Sequence, residues 1–175
     1  MSEVGLEVLR GVNVKNEVFK YLASAPELNC FLASRIQLLE KSKNSTLLVY
    51  RNSNSEIEGV TYIGGNLIPA ISSRAALLAL VDHLRSKQYK FSSIVGESKT
   101  VFDLWEFIAH LYSEPRAIRQ SQPLLSLRGV PKISGNPLVH PATLADLAEV
   151  VKVLSGYQIA KRKIEFESGA SSLYQ

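Results

Sequence analysis

The residues able to do acid–base, nucleophilic or metal chemistry are few in this chain and lie far apart. The three histidines, His83, His110 and His140, fall in separate segments, which disfavours a shared metal or catalytic site. His83 and His110 come late in predicted helices, where exposed positions are expected. The chain contains no HExxH, CxxC, P-loop, GxGxxG or GxSxG motif. Residue spacing therefore predicts no catalytic centre and no metal site.

Arg116, Arg119 and Gln122 form the most distinctive polar spacing in the chain. Two arginines three residues apart on an extended segment point to opposite faces, because side chains alternate along a strand. One of them is then free to contact a ligand or a partner. Arginines that protect an edge strand from aggregation would show the same spacing, so this alternative stays open. We predict weak ligand or interface contacts from Arg116, Arg119 and Gln122.

The remaining reactive side chains are expected to have structural or solvent-facing positions. Cys30 is the only cysteine, so no intrachain disulfide is possible, and its place at a helix start favours a buried, inert thiol. Asp103 and Glu106 flank Trp105 and are expected on a solvated helix face. The cationic cluster 161–163 is interpreted as a solvated helix end rather than a phosphate-binding patch.

Length and composition limit the classes of protein to consider. The chain has 175 residues, of which 46% are hydrophobic and 21% charged, as in ordinary globular proteins. A net charge of +4 is too small to predict nucleic-acid binding. No apolar run reaches the roughly 18 residues of a membrane helix, and the charged first thirty residues do not fit a signal peptide. These features predict a cytoplasmic protein with neither nucleic acid nor membrane as a partner.

The periodicity of apolar residues predicts the elements that must position any site. Ser72 or Ser73 is expected to cap the helix that starts at Arg74. In chain order the patterns predict a strand at Val4–Leu9, helices at 14–25 and 29–41, a hairpin of Thr46–Tyr50 and Ile57–Ile63, a strand at Asn66–Ala70, a helix at 74–87, a strand at Phe91–Val95, a helix from Ser98 and an extended segment at Arg116–Leu127. This order predicts an α/β (α+β) fold with a mixed central sheet and helices on both faces.

The end of the chain repeats the pattern of its beginning. Residues 1–128 are predicted to form one domain, and the Gly- and Pro-containing stretch 129–137 a linker. In residues 138–175 a strand-like segment, Leu138–Thr143, leads into a helix capped by Thr143, as at the start of the chain. The apolar stripe of that helix predicts docking or self-association of residues 138–156, because it is too apolar to remain in water. Residues after Gly156 are expected to be disordered or loosely helical.

The order of elements resembles the fold of the GNAT family of N-acetyltransferases. Several segments resemble the tandem type known from actinobacteria, in which an N-terminal domain of unknown function precedes a GNAT domain. The similar segments are Phe31–Arg35 (FLASR), Gly65–Pro69 (GNLIP), Ser92–Gly96 (SSIVG) with Leu104–Glu106 (LWE), and Arg116–Arg119 (RAIR) with Gln122–Leu125 (QPLL). The stretch from Val139 to Leu147 resembles the first strand and helix of a GNAT domain.

The resemblance implies acetyl transfer from acetyl-CoA to an amine. The family signature, Arg/Gln-x-x-Gly-x-Gly/Ala, lets backbone N–H groups bind the pyrophosphate at a helix N-terminus. The equivalent place here, Ile71–Leu77 (ISSRAAL), contains no glycine. Trp105 stands where the family often has a tyrosine as general acid. The first domain thus resembles a GNAT fold without its cofactor loop or acid, and acetyl-CoA is not expected to bind this chain.

Three functions fit these residues and segments. The leading interpretation is a non-catalytic, GNAT-like N-terminal domain followed by the start of a truncated acetyltransferase domain. The alternative is a stand-alone module that binds a small molecule or peptide without catalysis. A third interpretation is an active but atypical acetyltransferase. The leading two assign no catalytic, cofactor-binding or metal-ligating residue to this chain.

Overall fold

The computed structural model describes residues 5–9, 15–39, 44–130 and 134–157. The chain divides into two compact units, Met1–Ser126 and Leu127–Gln175, which are described separately. The assignment of residues 1–128 and 138–175 to a degenerate and a truncated GNAT domain stays a prediction.

The first unit contains four strands and four α-helices among its described residues. In chain order they are β1 (Gly5–Leu9), α1 (Lys15–Leu22), α2 (Pro26–Gln37), β2 (Thr46–Arg51), β3 (Ile57–Ile63), β4 (Leu67–Ile71), α3 (Arg74–Ser86) and α4 (Ser98–Ile108). The strands form one antiparallel sheet in the order β1-β2-β3-β4. The predicted hairpin is β2 and β3, which pair from Thr46 with Ile63 to Arg51 with Ile57.

Side chains alternate between the two faces of the sheet along each strand. Both faces carry apolar side chains, and helices cover both of them. One face packs against α1 and α2 through a cluster that includes Val18, Leu32, Ile36, Val49 and Val60. The opposite face packs against α3 and α4 through a cluster that includes Leu48, Leu67, Leu80, Leu84 and Leu104. The predicted α/β class with helices on both faces is therefore confirmed. Trp105 packs against the second cluster with part of its side chain exposed.

Two predicted strands of the first unit are absent as strands. Phe91–Val95 makes a single parallel bridge, between Ile94 and Leu67. Leu67 N–H donates to Ser93 O and Val95 N–H donates to Leu67 O, both at 2.9 Å. The next β4 residue facing this edge is Pro69, which has no N–H to donate, so the ladder stops there. The prediction of an extended strand at Arg116–Leu127 was also wrong: this stretch is exposed and unpaired, and Pro123 interrupts it.

The start of α2 at Pro26 differs from the prediction, whereas the starts of α3 and α4 agree with it. Pro26 was expected to follow a helix end, but it also opens α2, since proline fits the first turn of a helix. Ser73 caps α3 as predicted, its Oγ accepting a hydrogen bond from Ala76 N–H at 3.1 Å. The helix α4 starts at Ser98 with Glu97 in the cap position.

The described part of the second unit is a turn and a helix with exposed apolar side chains. The carboxylate of Asp146 accepts hydrogen bonds from Thr143 N–H and Oγ1–H, both at 2.8 Å, at the predicted helix start. Residues 147–157 are helical. Leu138–Thr143 forms no strand, contrary to the prediction, and Leu138 is 84% exposed. The predicted disorder after Gly156 and the cluster 161–163 lie almost entirely outside the described residues.

Candidate functional site

The predicted contact residues Arg116, Arg119 and Gln122 lie in an exposed segment without regular secondary structure. Because this segment is not a strand, the expected alternation of the two arginines between faces does not apply. None of the three lines the cleft described below. Their role as ligand or interface contacts stays a prediction.

A cleft of about 160 Å³ opens beside β4, between the α1–α2 junction and the start of α4. We call it the β4 cleft. Its floor is the outer edge of β4, and its walls come from α2 and from the segment 96–100. The polar side chains that line it belong to Tyr21, Ser24, Asn29, Ser72, Glu97 and Thr100. Glu97 is the only ionisable acid or base among them other than the Tyr21 phenol, and no lysine or arginine of the described residues lines the cleft.

Tyr21 joins α1 to the edge of the sheet inside this cleft. Its hydroxyl lies 3.2 Å from Glu58 O and 3.3 Å from Ala70 O, so a single proton is shared between two backbone acceptors. Burial is the largest cause of the raised pKa of Tyr21, partly offset by a hydrogen bond with Ser72. The phenol is therefore a neutral donor at physiological pH and is held by the backbone rather than by an acid–base partner.

The N-cap residue of α3, Ser73, lies close to the carboxylate of Glu58 on β3. Ser73 Oγ accepts from Ala76 N–H at 3.1 Å, and a Ser73 hydrogen bond to the Glu58 side chain is the largest cause that lowers the pKa of that carboxyl. Asn52 Nδ2 donates to the same carboxylate at 2.8 Å. Ser72 N–H and Oγ–H both donate to Glu58 O at 2.9 Å. A negative side chain thus already occupies the positive end of this helix.

The segment 96–100, which forms the other wall of the β4 cleft, lies in close contact with β4. A Cβ built on Gly96 would lie 3.0 Å from Pro69 O, so the backbone at residue 96 approaches β4 more closely than a larger residue permits. Thr100 Oγ1 donates to the Glu97 carboxylate at 3.0 Å, which fixes the acid at the cleft rim. Because residue 96 lies so close to β4, no ligand fits between them, and a ligand in the cleft must bind beside β4.

The remaining chemistry-bearing side chains have structural or exposed positions. His83 Nε2 lies 3.0 Å from the Tyr89 hydroxyl, and the two rings stack at a centroid distance of 5.6 Å. Cys30 was predicted to be buried, but it is exposed, because α2 turns that side of its first turns away from the sheet. Asp103 pairs with Lys99 along α4 as expected for a solvated face. Among the described residues no group of histidine, cysteine, aspartate and glutamate side chains could hold a metal ion.

Sequence reasoning missed the groups that meet at the β4 cleft. Tyr21 falls within the predicted helix at 14–25 with no further signal, and Glu58 is an ordinary polar residue within a strand. Ser72 and Ser73 were recognised only as helix caps. The available signal was the pair Ser72–Ser73 between a strand and a helix, but its link to Glu58 needs the pairing of β3 with β4.

Comparison with known proteins gives one family match. The model of a family described as a domain of unknown function (DUF4081) matches residues 47–150, which include β3, β4, α3, α4 and all of β2 except Thr46. No curated protein matches the chain. No solved structure matches it either.

Proposed function

The chain belongs to the DUF4081 family, and on that premise we propose that residues 1–128 are a non-catalytic, GNAT-like domain that supports acetyl transfer carried out elsewhere. In this proposal the reaction transfers an acetyl group from acetyl-CoA to an amine. The β4 cleft contributes to the shape of the binding site and holds no catalytic group. The observation that carries the proposal is the start of α3, where no glycine is present and Ser73 Oγ already accepts a hydrogen bond from Ala76 N–H at 3.1 Å.

The arrangement around β4 supports the GNAT-like part of the proposal. A strand, two helices, three antiparallel strands and α3 follow one another, and the segment at Ile94 then returns parallel to β4. The two segments form one parallel bridge, between Leu67 and Ile94, and no longer ladder between their described residues, next to the β4 cleft. Four of the segments similar to the tandem acetyltransferases contribute to this region or to the helices beside it.

The residues at the start of α3 do not fit acetyl-CoA. A pyrophosphate needs unoccupied N–H groups and close backbone approach at a helix N-terminus. Here Ala76 N–H already bonds Ser73 Oγ, and the Glu58 carboxylate would repel an anion. Within the part of the chain that the structure describes, no lysine or arginine lines the adjacent cleft. We therefore derive no step of acetyl transfer through these residues.

The second candidate function is a module that binds a small ligand without catalysis. The β4 cleft favours it, because an apolar floor is combined with a few convergent polar groups, as in typical ligand sites. Glu97 and the carbonyl oxygen of Pro69 are acceptors, and Pro69 offers no N–H. A neutral or cationic ligand rich in hydrogen-bond donors matches this set better than an anion does.

The proposal includes a cytoplasmic location and contact through the tail helix. An exposed free thiol at Cys30 suits a reducing compartment. No helix in the described segments is long and apolar enough to cross a membrane. Leu147, Val150, Val151 and Leu154 share one side of the 147–157 helix and are 38–57% exposed. We propose that this face contacts a second copy or the remainder of an acetyltransferase domain.

Calorimetric titration with acetyl-CoA tests the main proposal. The full chain should give no heat beyond dilution up to millimolar acetyl-CoA, while circular dichroism verifies that the protein is folded. Saturable binding in the micromolar range would overturn the proposal and favour an active, atypical acetyltransferase. Screening neutral and cationic fragments by amide chemical shifts then separates the two non-catalytic functions: shifts confined to residues around Ser72 and Thr100 favour the binding module.

Sedimentation velocity tests the tail contact. Wild-type protein should show a concentration-dependent larger species, and Val151→Asp should remove it, because a charge in an apolar interface is costly. A monomer at every concentration, or an unchanged distribution in the variant, would contradict self-association.

A further inference from the structure

A second cavity lies at the C-terminal end of α4, away from β4. We call it the α4 cavity; it has a volume of about 340 Å³ and is lined by Trp105, Ala109, Tyr112, Glu114, Pro115 and Ile118. Two aromatic and three aliphatic residues line it together with Glu114, which is the only charged side chain among these six. None of the predicted contact residues, Arg116, Arg119 and Gln122, lines it.

The walls of the α4 cavity are held by packing. Tyr112 forms part of one wall, and its ring contacts the Phe91 ring at a centroid distance of 4.7 Å. The Tyr112 hydroxyl is buried and has no hydrogen-bond partner among the described residues. Trp105 packs on the cluster beneath α3 and α4 while its remaining surface lines the cavity. The aromatic walls are thus anchored to the core rather than carried on a free loop.

Three features of the α4 cavity attract positive charge. An indole face binds cations through its quadrupole, and tryptophan does so best among the aromatic residues. The Glu114 carboxylate has no ion-pair partner within the described segments. The cavity also lies at the C-terminal end of an eleven-residue helix, where the backbone dipole carries partial negative charge. The three effects arise within residues 98–118 and act in the same direction.

We propose that the α4 cavity binds a small alkylammonium ion. The alkyl groups contact Trp105, Pro115 and Ile118, and the Glu114 carboxylate balances the charge. A cavity of about 340 Å³ has room for a cation the size of choline. This site is separate from the β4 cleft and does not depend on the proposed acetyltransferase role.

The single tryptophan makes the site directly observable. Trp105 is the only tryptophan in the chain, so intrinsic tryptophan fluorescence reports on this cavity alone. Choline chloride is the probe, added to the full chain at constant ionic strength with sodium chloride. We expect a saturable change with a dissociation constant on the order of 1–10 mM, as suits one exposed carboxylate and one aromatic wall.

Two comparisons distinguish a cation site from general solvent effects. The neutral isostere 3,3-dimethylbutan-1-ol has the shape of choline without its charge and should bind at least about threefold more weakly. Glu114→Gln should weaken choline binding about threefold or more, within the range of one partly exposed charge pair. Glu106→Gln is the matched control, because Glu106 is exposed next to Trp105 and does not line the cavity.

The outcomes are decisive in each arm. Saturable choline binding that is weakened by Glu114→Gln and unchanged by Glu106→Gln supports the proposal. A linear fluorescence change, equal binding of the neutral isostere, or equal effects of the two substitutions would overturn it. Thermal unfolding of both variants checks that the fold is retained, since both substitutions alter exposed side chains.

Discussion

Gly59 on β3 lets α3 approach the sheet, and adding one methyl group there tests how closely the two elements pack. A Cβ built on Gly59 would lie 3.0 Å from the Ala76 Cβ. Carbon atoms normally rest about 3.5–4.0 Å apart, so the added methyl overlaps by about 0.5–1 Å. Ala76 is 1% exposed and has no rotamer to change, so α3 itself must move.

We expect Gly59→Ala to lower the free energy of unfolding by about 1–2 kcal/mol. Overpacking by one carbon typically costs about 1–3 kcal/mol, and the reduced entropy of the unfolded chain returns about 0.4–1 kcal/mol. Urea unfolding followed by circular dichroism measures the change. Gly65→Ala is the matched control, because no atom lies within 4 Å of its added Cβ, and we expect an effect within about 0.5 kcal/mol.

A double-mutant cycle shows whether the contact with Ala76 is the cause. Ala76→Gly removes the overlapping methyl and alone costs about 1 kcal/mol through helix propensity, plus its lost packing. The double variant should be more stable than the sum of the two single effects by about 1 kcal/mol. Strictly additive effects, or a Gly59→Ala protein as stable as wild type, would refute the close approach of α3 to β3.

Four further predictions concern individual side chains. Leu104→Ala, at a fully buried position, should lower the free energy of unfolding in urea by about 2–5 kcal/mol. Leu125→Ala, at a position that is 88% exposed, should change it by less than about 0.5 kcal/mol. Similar losses for the two variants would contradict the assigned core. Tyr112→Phe removes a buried hydroxyl without a partner among the described residues and should leave the melting temperature unchanged or higher, and a loss of more than about 1 kcal/mol would reveal a missed hydrogen bond. Burial, with a smaller contribution from Lys87, lowers the pKa of His83 in the folded protein. The unfolded chain therefore binds this proton at a higher pH, and the free energy of unfolding should fall as the pH drops below the unfolded pKa of about 6.5. His83→Gln should reduce that loss between pH 7.5 and 5, and an unchanged pH profile would argue against it. The pKa of Tyr21 is raised in the folded protein, so its contribution to the free energy of unfolding is complete below pH of about 10 and is lost as the pH rises further. Tyr21→Phe should flatten the dependence of the free energy of unfolding on pH between pH 9 and 11. A dependence as steep as that of wild type would show that Tyr21 is not the group responsible.

Elements with strong, locally supported apolar periodicity could be predicted from the sequence. The hairpin of β2 and β3, the start of α3 at Ser73 and the amphipathic pattern of α4 were all predicted from residue spacing. These features depend on side-chain alternation, on a serine cap and on a 3.6-residue period, which act within one element. The fold class followed, because alternating strands and helices must cover both faces of a sheet.

Which extended segments became strands depended instead on tertiary contacts. Phe91–Val95 and Arg116–Leu127 both have strand-like composition, yet a strand needs a neighbouring edge with free donors and acceptors. Beyond Leu67 the outer edge of β4 offers no donor at Pro69, so the pairing with Ile94 stops after one bridge. Where the pairing stops depends on which β4 residues face the outer edge of the sheet. The register of β4 with β3 determines those residues.

The candidate sites likewise arise from contacts between distant residues. Tyr21 meets the carbonyl oxygen of Glu58 across 37 positions, and Ser72 donates to the same oxygen because β3 and β4 pair. Trp105 and Glu114 come together because the chain turns at the end of α4. Residue spacing predicts which side chains share a face of one element, whereas the pairing register and the helix ends determine which faces meet.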